Sequence, residues 1–386
     1  MKLDDKVILP NQTIGIIGGG QLGRMMALAA KAQGFRIAVL DPAADSPCAQ
    51  VADVEIIADY NDLEAIAQLA RVSDVITYEF ENVDVETLSW LCENANVPQG
   101  KKLLKITQNR ISEKAAIMAA GLKVAPYAVC ATLEEVYDKI ETLGLPAVLK
   151  TARGGYDGKG QAVIRSTTDI PAASKLLESG PCVLESWLTF EKELSVIVTR
   201  KSNGEMTTFP VAENVHEDNI LHLTIVPARI SVMTEDSAVT MARTLAEKLE
   251  VVGTLAIEMF LTHNDELFIN ELAPRPHNSG HFTIEACETS QFEQHIRAIS
   301  NWQLGSTQLL KPAVMVNLLG EHMERLLTEI PQLEDWKIHL YGKMEARAKR
   351  KMGHVTILAN STETVLAEIE NHPIWSNAKE KIGGTS

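Results

Sequence analysis

The chain has 386 residues, of which 45% are hydrophobic and 23% are charged, and its formal net charge is −15 at pH 7. This length accommodates two or three domains with sizeable cores, and the composition is ordinary for a globular protein. The negative charge argues against general nucleic-acid binding and against an anionic membrane surface as a partner.

Leader segments and cysteines indicate the compartment. The first residues lack the apolar stretch of a signal peptide, and no apolar run approaches membrane-spanning length. The five cysteines, Cys48, Cys92, Cys130, Cys182 and Cys287, are scattered and form no C-x-x-C pair. We expect reduced thiols in a cytoplasmic protein, with neither zinc nor disulfides implied.

The chain begins with a β-α-β pattern. Residues 13–17 predict a strand, a glycine-rich turn at 18–23 leads into a helix that extends to Gln33, and residues 37–40 predict a second strand before Asp41. The turn satisfies G-x-G-x-x-G, with an acid about 20 residues further on. Three interpretations stay open: a nicotinamide dinucleotide site, a helix N-terminus that holds another phosphate, or glycines that only permit a tight turn.

More β-α units follow, and an acidic loop ends them. We expect a strand at 54–58, a helix at 62–71 and a strand at 75–78. Glu79 lies just past this strand, where open α/β sheets bind ligands, although a solvated loop acid fits equally well. The α/β rhythm pauses at 97–100, and we place the first domain boundary there.

The central feature is a glycine-rich segment between two apolar runs. Residues 145–149 predict a buried strand that ends at Lys150, residues 161–164 predict the next strand, and four glycines lie between them at 154, 155, 158 and 160. Glycine N–H groups can approach phosphate oxygens closely, and Lys150 and Lys159 would add charge-assisted contacts. This pattern predicts a hairpin whose loop folds over a phosphate ligand, the alternative being a mobile surface hairpin.

The elements around this hairpin are less specific. Helices are predicted near 112–120, 133–143 and 169–178, and strands at 182–188, 193–199 and 209–212. The strand at 182–188 enters a hinge that can offer backbone groups and an apolar wall to a flat base, although plain core is the simpler interpretation. His216 alone is more often structural than catalytic.

Two glutamates carry the strongest argument for a site. Apolar strands end at Thr262 and start again at Leu267, so a four-residue turn would place Thr262 opposite Leu267 and Glu258 opposite Glu271. Opposed carboxylates repel, and burial raises the pKa of one of them. A divalent cation removes the conflict, which predicts a magnesium site, whereas a register slip would send one glutamate to solvent.

The segment after the second of these strands is rich in polar and basic residues. Arg275 and His277 would lie just downstream of the metal, in a run broken by prolines. From about Trp302 we expect a strand at 313–319, a helix at 321–329 and strands near 338 and 354–358. The run at 343–351 holds five cations and one acid, which suits either a solvated face or a lid over an anionic substrate.

Four motifs in this order resemble one family of enzymes. They are Gly18-Gly-Gly-Gln-Leu-Gly-Arg-Met25, Tyr78-Glu-Phe-Glu-Asn82, Gly154-Gly-Tyr-Asp-Gly-Lys-Gly160 and Asn270-Glu-Leu-Ala-Pro-Arg-Pro-His-Asn-Ser-Gly-His281. Together they resemble the N5-carboxyaminoimidazole ribonucleotide synthetases of the ATP-grasp superfamily over nearly the whole chain. The resemblance implies an α/β (α+β) ATP-grasp fold with a Rossmann-like pre-ATP-grasp domain at 1–105, an ATP-grasp domain at 106–300 and a small β-rich C-terminal domain at 301–386.

The resemblance also implies the roles of individual residues. Glu258 and Glu271 would hold Mg²⁺, with Mn²⁺ as the alternative ion, and the catalytic groups would be Tyr156, Asp157, Arg275 and Lys343. The ribonucleotide and bicarbonate would contact Gln21, Glu79, His277, Arg350 and Lys351. ATP would contact Arg110, Lys150, Gly155, Tyr156, Asp157, Gly158, Lys159, Gly160, Gln161, Glu185, Ser186, Trp187, Leu188, Glu193, His216, Asn270 and Glu271. Many relatives in the superfamily have asparagine where this chain has Ala273, so any second metal would rely on Asn270 or phosphate oxygens.

The implied activity is carboxylation of 5-aminoimidazole ribonucleotide by ATP and bicarbonate in a cytoplasmic homodimer. Its partners would be small molecules, with neither nucleic acid nor membrane. Another ATP-grasp ligase with a different acceptor is the nearest rival. An NAD-dependent oxidoreductase would rest on the first β-α-β unit alone and leave the central hairpin unexplained. A non-catalytic nucleotide sensor would need a broken site, and every expected group is present.

Overall fold

The computed structural model describes residues 6–155 and 158–375. Tyr156 and Asp157, predicted to be catalytic and nucleotide-binding, lie outside the described residues. Among the described helices, none is both long and apolar enough to cross a bilayer.

The first segment is a small parallel α/β unit. Its four strands pair in the order β3-β2-β1-β4, and all three pairings are parallel. Three of the strands are largely buried between helices on the two faces, as expected when crossovers are helical, whereas the edge strand Val54–Ile57 is mostly exposed. Its elements are β1 Thr13–Ile17, α1 Gln21–Ala32, β2 Arg36–Asp41, β3 Val54–Ile57, α2 Leu63–Val72, β4 Val75–Tyr78 and α3 Val85–Asn94. Every strand and helix predicted here is confirmed.

The glycine hairpin belongs to a second, antiparallel sheet of four strands in the order β5-β8-β6-β7. Lys150 pairs with Gln161 at its loop end, as predicted for strands that flank a glycine loop. The elements from the first boundary through this sheet are α4 Lys102–Thr107, α5 Arg110–Ala119, β5 Tyr127–Cys130, α6 Leu133–Leu143, β6 Ala147–Thr151, β7 Gln161–Ile164, α7 Ile170–Ala173 and β8 Cys182–Ser186.

One helix in this region is shorter than predicted. The expected α-helix at 169–178 ends at Ala173 and continues as a 3₁₀ segment, Ser174–Ser179. The hydroxyls of Ser174 and Ser179 donate to the carbonyls three residues earlier, at 2.9 and 2.6 Å. Such side-chain bonds compete with the α-helical pattern and favour the tighter turn.

The third sheet has nine strands and includes Glu258 and Glu271, the two predicted metal ligands. Its order is β14-β13-β9-β11-β12-β15-β17-β16, with β10 paired to β9. Because β15 pairs with β12, the C-terminal segment continues the sheet of the central one. The elements are β9 Lys192–Arg200, β10 Met206–Thr208, β11 Ala212–Glu217, β12 Ile220–Val226, α8 Val232–Lys248, β13 Gly253–Leu261, β14 Leu267–Ala273, α9 Thr283–Ala286, α10 Gln291–Ile299, β15 Ala313–Leu319, α11 Met323–Glu329, β16 Lys337–Leu340, β17 Lys351–Leu358 and α12 Thr362–Asn371.

The strand predicted at 209–212 is wrong. Phe209 donates its N–H to the carbonyl of Ile197 at 2.9 Å, but Pro210 has no N–H with which to continue a ladder. The strand therefore begins only at Ala212 and extends to Glu217, so that His216 lies within it rather than after it.

Candidate active site

A cleft of about 700 Å³ lies where residues from all three sequence segments meet. Most of the residues predicted to bind ligands line it: Gln21, Glu79, Lys150, Gly158, Gln161, Glu185, Ser186, Trp187, Leu188, Glu193, His216, Glu258, Asn270, Glu271, Arg275, His277, Lys343 and Lys351. Arg350 is exposed and does not line the cleft. The binding roles assigned to these residues remain predictions, and the structure supplies their arrangement.

The glycine hairpin closes one side of the cleft. Gly154, Gly158 and Gly160 have φ values of 72°, 80° and 71°, a region that glycine occupies without steric cost. The Arg110 guanidinium donates to the carbonyl of Gly155 at 3.3 Å, which ties the loop to α5. Lys159 belongs to this loop, and Gly158 approaches Asn219 in the turn between β11 and β12. No motif or spacing in the sequence pointed to Asn219.

Buried Lys114 and half-buried Lys150 share one carboxylate at the hinge end of β8. Lys150 Nζ lies 3.0 Å from Glu185 Oε2, and Lys114 Nζ lies 3.1 Å from Glu185 Oε1. Burial opposes the charge on Glu185, but Lys150 and then Lys114 favour it, so the pKa of this carboxyl lies below its ordinary value. Glu185 is therefore an anion that orients Lys150.

An apolar wall follows the hinge. The N–H groups of Ser186 and Trp187 are used within the fold, donating to the carbonyls of Pro126 and Pro146 at 2.9 and 3.1 Å. Phe260 stacks on Phe190 with ring centroids 4.6 Å apart. Apart from the apolar wall expected at the hinge, sequence reasoning missed the apolar lining at Leu22, Phe80, Ala125, Val148, Val163, Phe190, Leu221, Phe260 and Ala273. Alternation along the strands of the hairpin was the only signal for Val148 and Val163. Flat apolar walls of this kind suit a nucleobase.

Glu258 and Glu271 face each other across β13 and β14, as predicted, but by a different route. The predicted pairing of Thr262 with Leu267 is wrong, because Leu261 pairs with Leu267. The turn has three residues: Thr262 N–H donates to the Glu266 carbonyl at 3.0 Å, and Asp265 has φ 58°. A left-handed residue ending a three-residue loop is a common hairpin connection. A bulge at Asn270 then absorbs one residue and restores the glutamate pair.

The paired carboxylates fit a divalent cation. Burial, then the neighbouring Glu271, raises the pKa of Glu258 to about 7. His277 Nε2 lies 3.5 Å from Glu258 Oε1, but burial and Arg275 lower the pKa of His277 well below its ordinary value, so it provides no charge. Within residues 6–155 and 158–375, no group of three or more His, Cys, Asp or Glu side chains is placed to hold a metal. Phosphate oxygens would therefore complete the coordination.

Glu193 and His216 form a second polar pair inside the cleft. His216 Nδ1 lies 3.0 Å from Glu193 Oε2, on neighbouring strands β11 and β9. Burial opposes protonation of His216, but Glu193 outweighs it and raises the pKa of the imidazole. The residue lines the cleft, which favours a role in ligand binding over a purely structural one.

The glycine-rich first turn is filled by a carboxylate from its own chain. Glu79 accepts hydrogen bonds from the N–H groups of Gly20 and Gly23, the latter at 2.6 Å. Asp41 accepts from Gly19 N–H at 2.6 Å and from Tyr60 Oη at 2.7 Å. The N–H donors that a dinucleotide pyrophosphate needs and the acid that would accept from its ribose hydroxyl are thus already engaged, which argues against the nicotinamide interpretation. Glu79 is buried, so it is not a solvated loop acid.

Cations gather at the end of the cleft next to this turn. Lys343 Nζ donates to Gln21 Oε1 at 2.7 Å and to the carbonyl of Lys351 at 2.6 Å. Burial, then the charge of Arg350, lowers the pKa of Lys343 to about 8. Arg275 pairs with Glu81 at 2.6 Å and so joins the two motif loops. Clustered cations of this kind suit an anionic ligand.

A glycine-rich lid, paired carboxylates and two sheets that enclose a cleft define an ATP-grasp enzyme. Three family models match the chain. The model described as "ATP-grasp domain" matches residues 115–292, the model described as "Ribonucleotide synthetase preATP-grasp domain" matches 11–108, and the model described as "Phosphoribosylaminoimidazole carboxylase C-terminal domain" matches 313–368. The chain is 55% identical to the N5-carboxyaminoimidazole ribonucleotide synthase of Bacillus subtilis (strain 168) over 376 residues, which covers 97% of this chain and 98% of the relative.

Comparison with solved structures points to the same family. A crystal structure of an ADP complex of an N5-carboxyaminoimidazole ribonucleotide synthetase superposes with a TM-score of 0.94 at 58% identity, covering 96% of this chain and 99% of the other. The Aspergillus clavatus enzyme in complex with ADP and 5-aminoimidazole ribonucleotide superposes with a TM-score of 0.87 at 32% identity, covering 95% and 98%. The chain belongs to the N5-carboxyaminoimidazole ribonucleotide synthetase family, and the resemblance drawn from the sequence is confirmed.

Proposed function

We propose that this chain uses ATP and bicarbonate to carboxylate the exocyclic amine of 5-aminoimidazole ribonucleotide. The observation that carries the proposal is the single cleft with two chemically different ends. Lys150, Glu258 and Glu271 line one part of the cleft, and Lys343 lines the part next to the first glycine-rich turn through its bond to Gln21. The relative from Aspergillus clavatus, which binds ADP and the aminoimidazole ribonucleotide together, supports two neighbouring subsites.

The proposed reaction has three steps. A bicarbonate oxygen attacks the γ-phosphorus of ATP, which gives carboxyphosphate and ADP. Carboxyphosphate then breaks its carboxyl C–O bond to release CO₂ and inorganic phosphate. The amine nitrogen attacks CO₂ and loses one proton, which leaves the carbamate. The group that accepts this proton is Asp157 or a phosphate oxygen.

The residues of this chain bind, orient and exclude water. Lys150, held by Glu185, presents an ammonium to the transferred phosphoryl group, where charge develops. The glycine hairpin covers the cleft and keeps water from the unstable carboxyphosphate. Lys343, fixed by Gln21, presents a cation to bicarbonate or to the substrate phosphate. Glu258 and Glu271 would hold Mg²⁺, which would neutralise phosphate charge.

The decisive experiment measures ADP release with magnesium, ATP and 5-aminoimidazole ribonucleotide, with and without added bicarbonate. Release that needs both the ribonucleotide and bicarbonate supports the proposal, and ¹⁸O transfer from bicarbonate to phosphate would support carboxyphosphate. ATP hydrolysis indifferent to the ribonucleotide would leave the ATP-grasp assignment intact and overturn the substrate.

Three further expectations accompany this proposal. Magnesium dependence is tested by chelation and by titration with Mn²⁺. A cytoplasmic homodimer is tested by light scattering on the purified chain and by fractionation of cells that produce it. The domain division at residues 105 and 300 stays a prediction, and limited proteolysis near those positions tests it.

A further inference from the structure

One face of α5 contacts three different parts of the nucleotide end. Arg110, Glu113 and Lys114 are spaced so that they lie on the same side of the helix. Arg110 contacts the glycine loop, as described above, and its guanidinium lies 3.8 Å from Glu271. Glu113 Oε1 accepts from the N–H of Leu272 at 2.8 Å, next to that same glutamate. Lys114 completes the series through Glu185.

Lys114 differs from the other cations of this region in its position. Its side chain is only 3% exposed, and it is not part of the cleft wall, whereas Lys150 and Glu185 are. Its ammonium lies 5.6 Å from the centre of the Tyr127 ring, and Tyr127 is the cross-strand partner of Glu185. Lys114 is thus held from two sides and borders the cleft only through Glu185.

The carboxylate of Glu185 is divided between its two lysines, one oxygen to each. A buried carboxylate that loses one cation partner compensates with the remaining one, because a half-satisfied buried charge is costly. Without Lys114, both oxygens of Glu185 would turn to Lys150. The Lys150 ammonium would then be drawn toward the hinge strand and away from the ligand.

We propose that Lys114 is a positioning residue for the nucleotide site: it holds one oxygen of Glu185 so that the other sets Lys150 at the cleft wall. This inference rests on the proposed function only in so far as the cleft binds a magnesium nucleotide. It does not depend on which acceptor is carboxylated.

The test is a double-mutant cycle read by calorimetric binding of MgADP and by the KM for ATP. Lys114→Met keeps the apolar stem and removes the charge, and we expect MgADP affinity to fall about 10-fold or more. In a Glu185→Gln background the same change should alter affinity by less than about 2-fold, because the intermediary is gone. A role in packing alone would give equal losses in both backgrounds and would overturn the proposal.

Two further variants keep the outcome interpretable. Lys102→Met removes an exposed pair with Glu250 and should leave MgADP affinity unchanged. Lys114→Gln keeps a donor for Glu185 and should recover part of the affinity, which also covers the case in which Lys114→Met does not fold. Wild-type affinity in both Lys114 variants contradicts the inference. Because MgADP binding is measured without the ribonucleotide, failure of the proposed substrate would show separately in the ADP-release assay.

Discussion

Glu258 and Glu271 are cross-strand neighbours only because a bulge at Asn270 offsets the three-residue turn that joins their strands. Without the bulge, the register set by the turn would move Glu271 out of line with Glu258. The two carboxylates therefore meet by a specific irregularity in the sheet, at the point where a cation would be bound.

This pair predicts a pH dependence of stability in metal-free protein. The folded pKa of Glu258 is about 7, against an ordinary value of 4.5, so the folded chain binds more protons than the unfolded chain between these values. The free energy of unfolding should then fall as pH rises from about 4.5 to about 7 and level off above, by about 1–3 kcal/mol. Urea unfolding in EDTA measures it, and Glu258→Gln should remove this part of the slope. An unchanged slope in that variant would contradict the assignment.

The lowered pKa of Lys343 predicts how kcat/KM changes at alkaline pH. Its pKa of about 8 means that the side chain loses its charge as pH rises through that value. If the ammonium binds an anionic substrate, kcat/KM for the ribonucleotide should decrease above pH 8. Lys343→Arg carries a guanidinium that stays charged, so its profile should lack this decrease, even if its maximum is lower. A limb that stays at the same pH in the variant belongs to another group.

The position of Gly158 predicts that its replacement lowers activity, whereas a replacement with a similar effect on stability elsewhere does not. Gly158 and Gly121 have φ values of 80° and 82°, so alanine at either position meets a similar backbone penalty of about 1–2 kcal/mol. A Cβ at Gly158 would also come within 2.9 Å of Asn219, whereas one at Gly121 meets nothing within 4 Å. Both variants should lose similar thermal stability, but only Gly158→Ala should lose kcat, by about 10-fold. Equal activities would show that the loop does not close against Asn219.

The position of Phe260 predicts where the base of the nucleotide binds. It lines the cleft and stacks on Phe190, so Phe260→Ala should cost about 1–2 kcal/mol of nucleotide binding, about 10-fold in affinity for MgADP. Phe268 is its cross-strand partner but lies outside the cleft lining. Phe268→Ala therefore serves as the matched control, and calorimetry with MgADP compares the two. Equal losses would place the base elsewhere.

The fold was largely predictable because its signals are local. Glycines at 18–23 and 154–160, alternating apolar strands and the order of four motifs determine the sheets and the family. The errors also have local causes. Pro210 lacks an N–H and delays β11, and serine hydroxyls tighten the end of the predicted helix after Ala173.

The sequence largely predicted which residues form the site, but it predicted their arrangement less well. Motif residues were placed on the cleft by the family resemblance and, for Glu258 and Glu271, by the pairing of two apolar strands. Lys114, Asn219 and the Phe190–Phe260 stack depend on contacts between elements distant in sequence, and no spacing within one element reveals them. The pairing of Glu258 with Glu271 was expected for the wrong reason, since two one-residue differences cancelled.

The pairing of β15 with β12 has a consequence for how the molecule is made. During synthesis, β12 leaves the ribosome nearly ninety residues before its partner, if one counts from Val226 to Ala313. Throughout that interval it presents unpaired backbone groups on one side, which is the kind of edge that other chains can join. The cleft closes only after β17, which begins at Lys351, has been added. A nascent chain therefore completes the part of the cleft lined by Lys150 and Glu185 well before the part lined by Lys343 and Lys351.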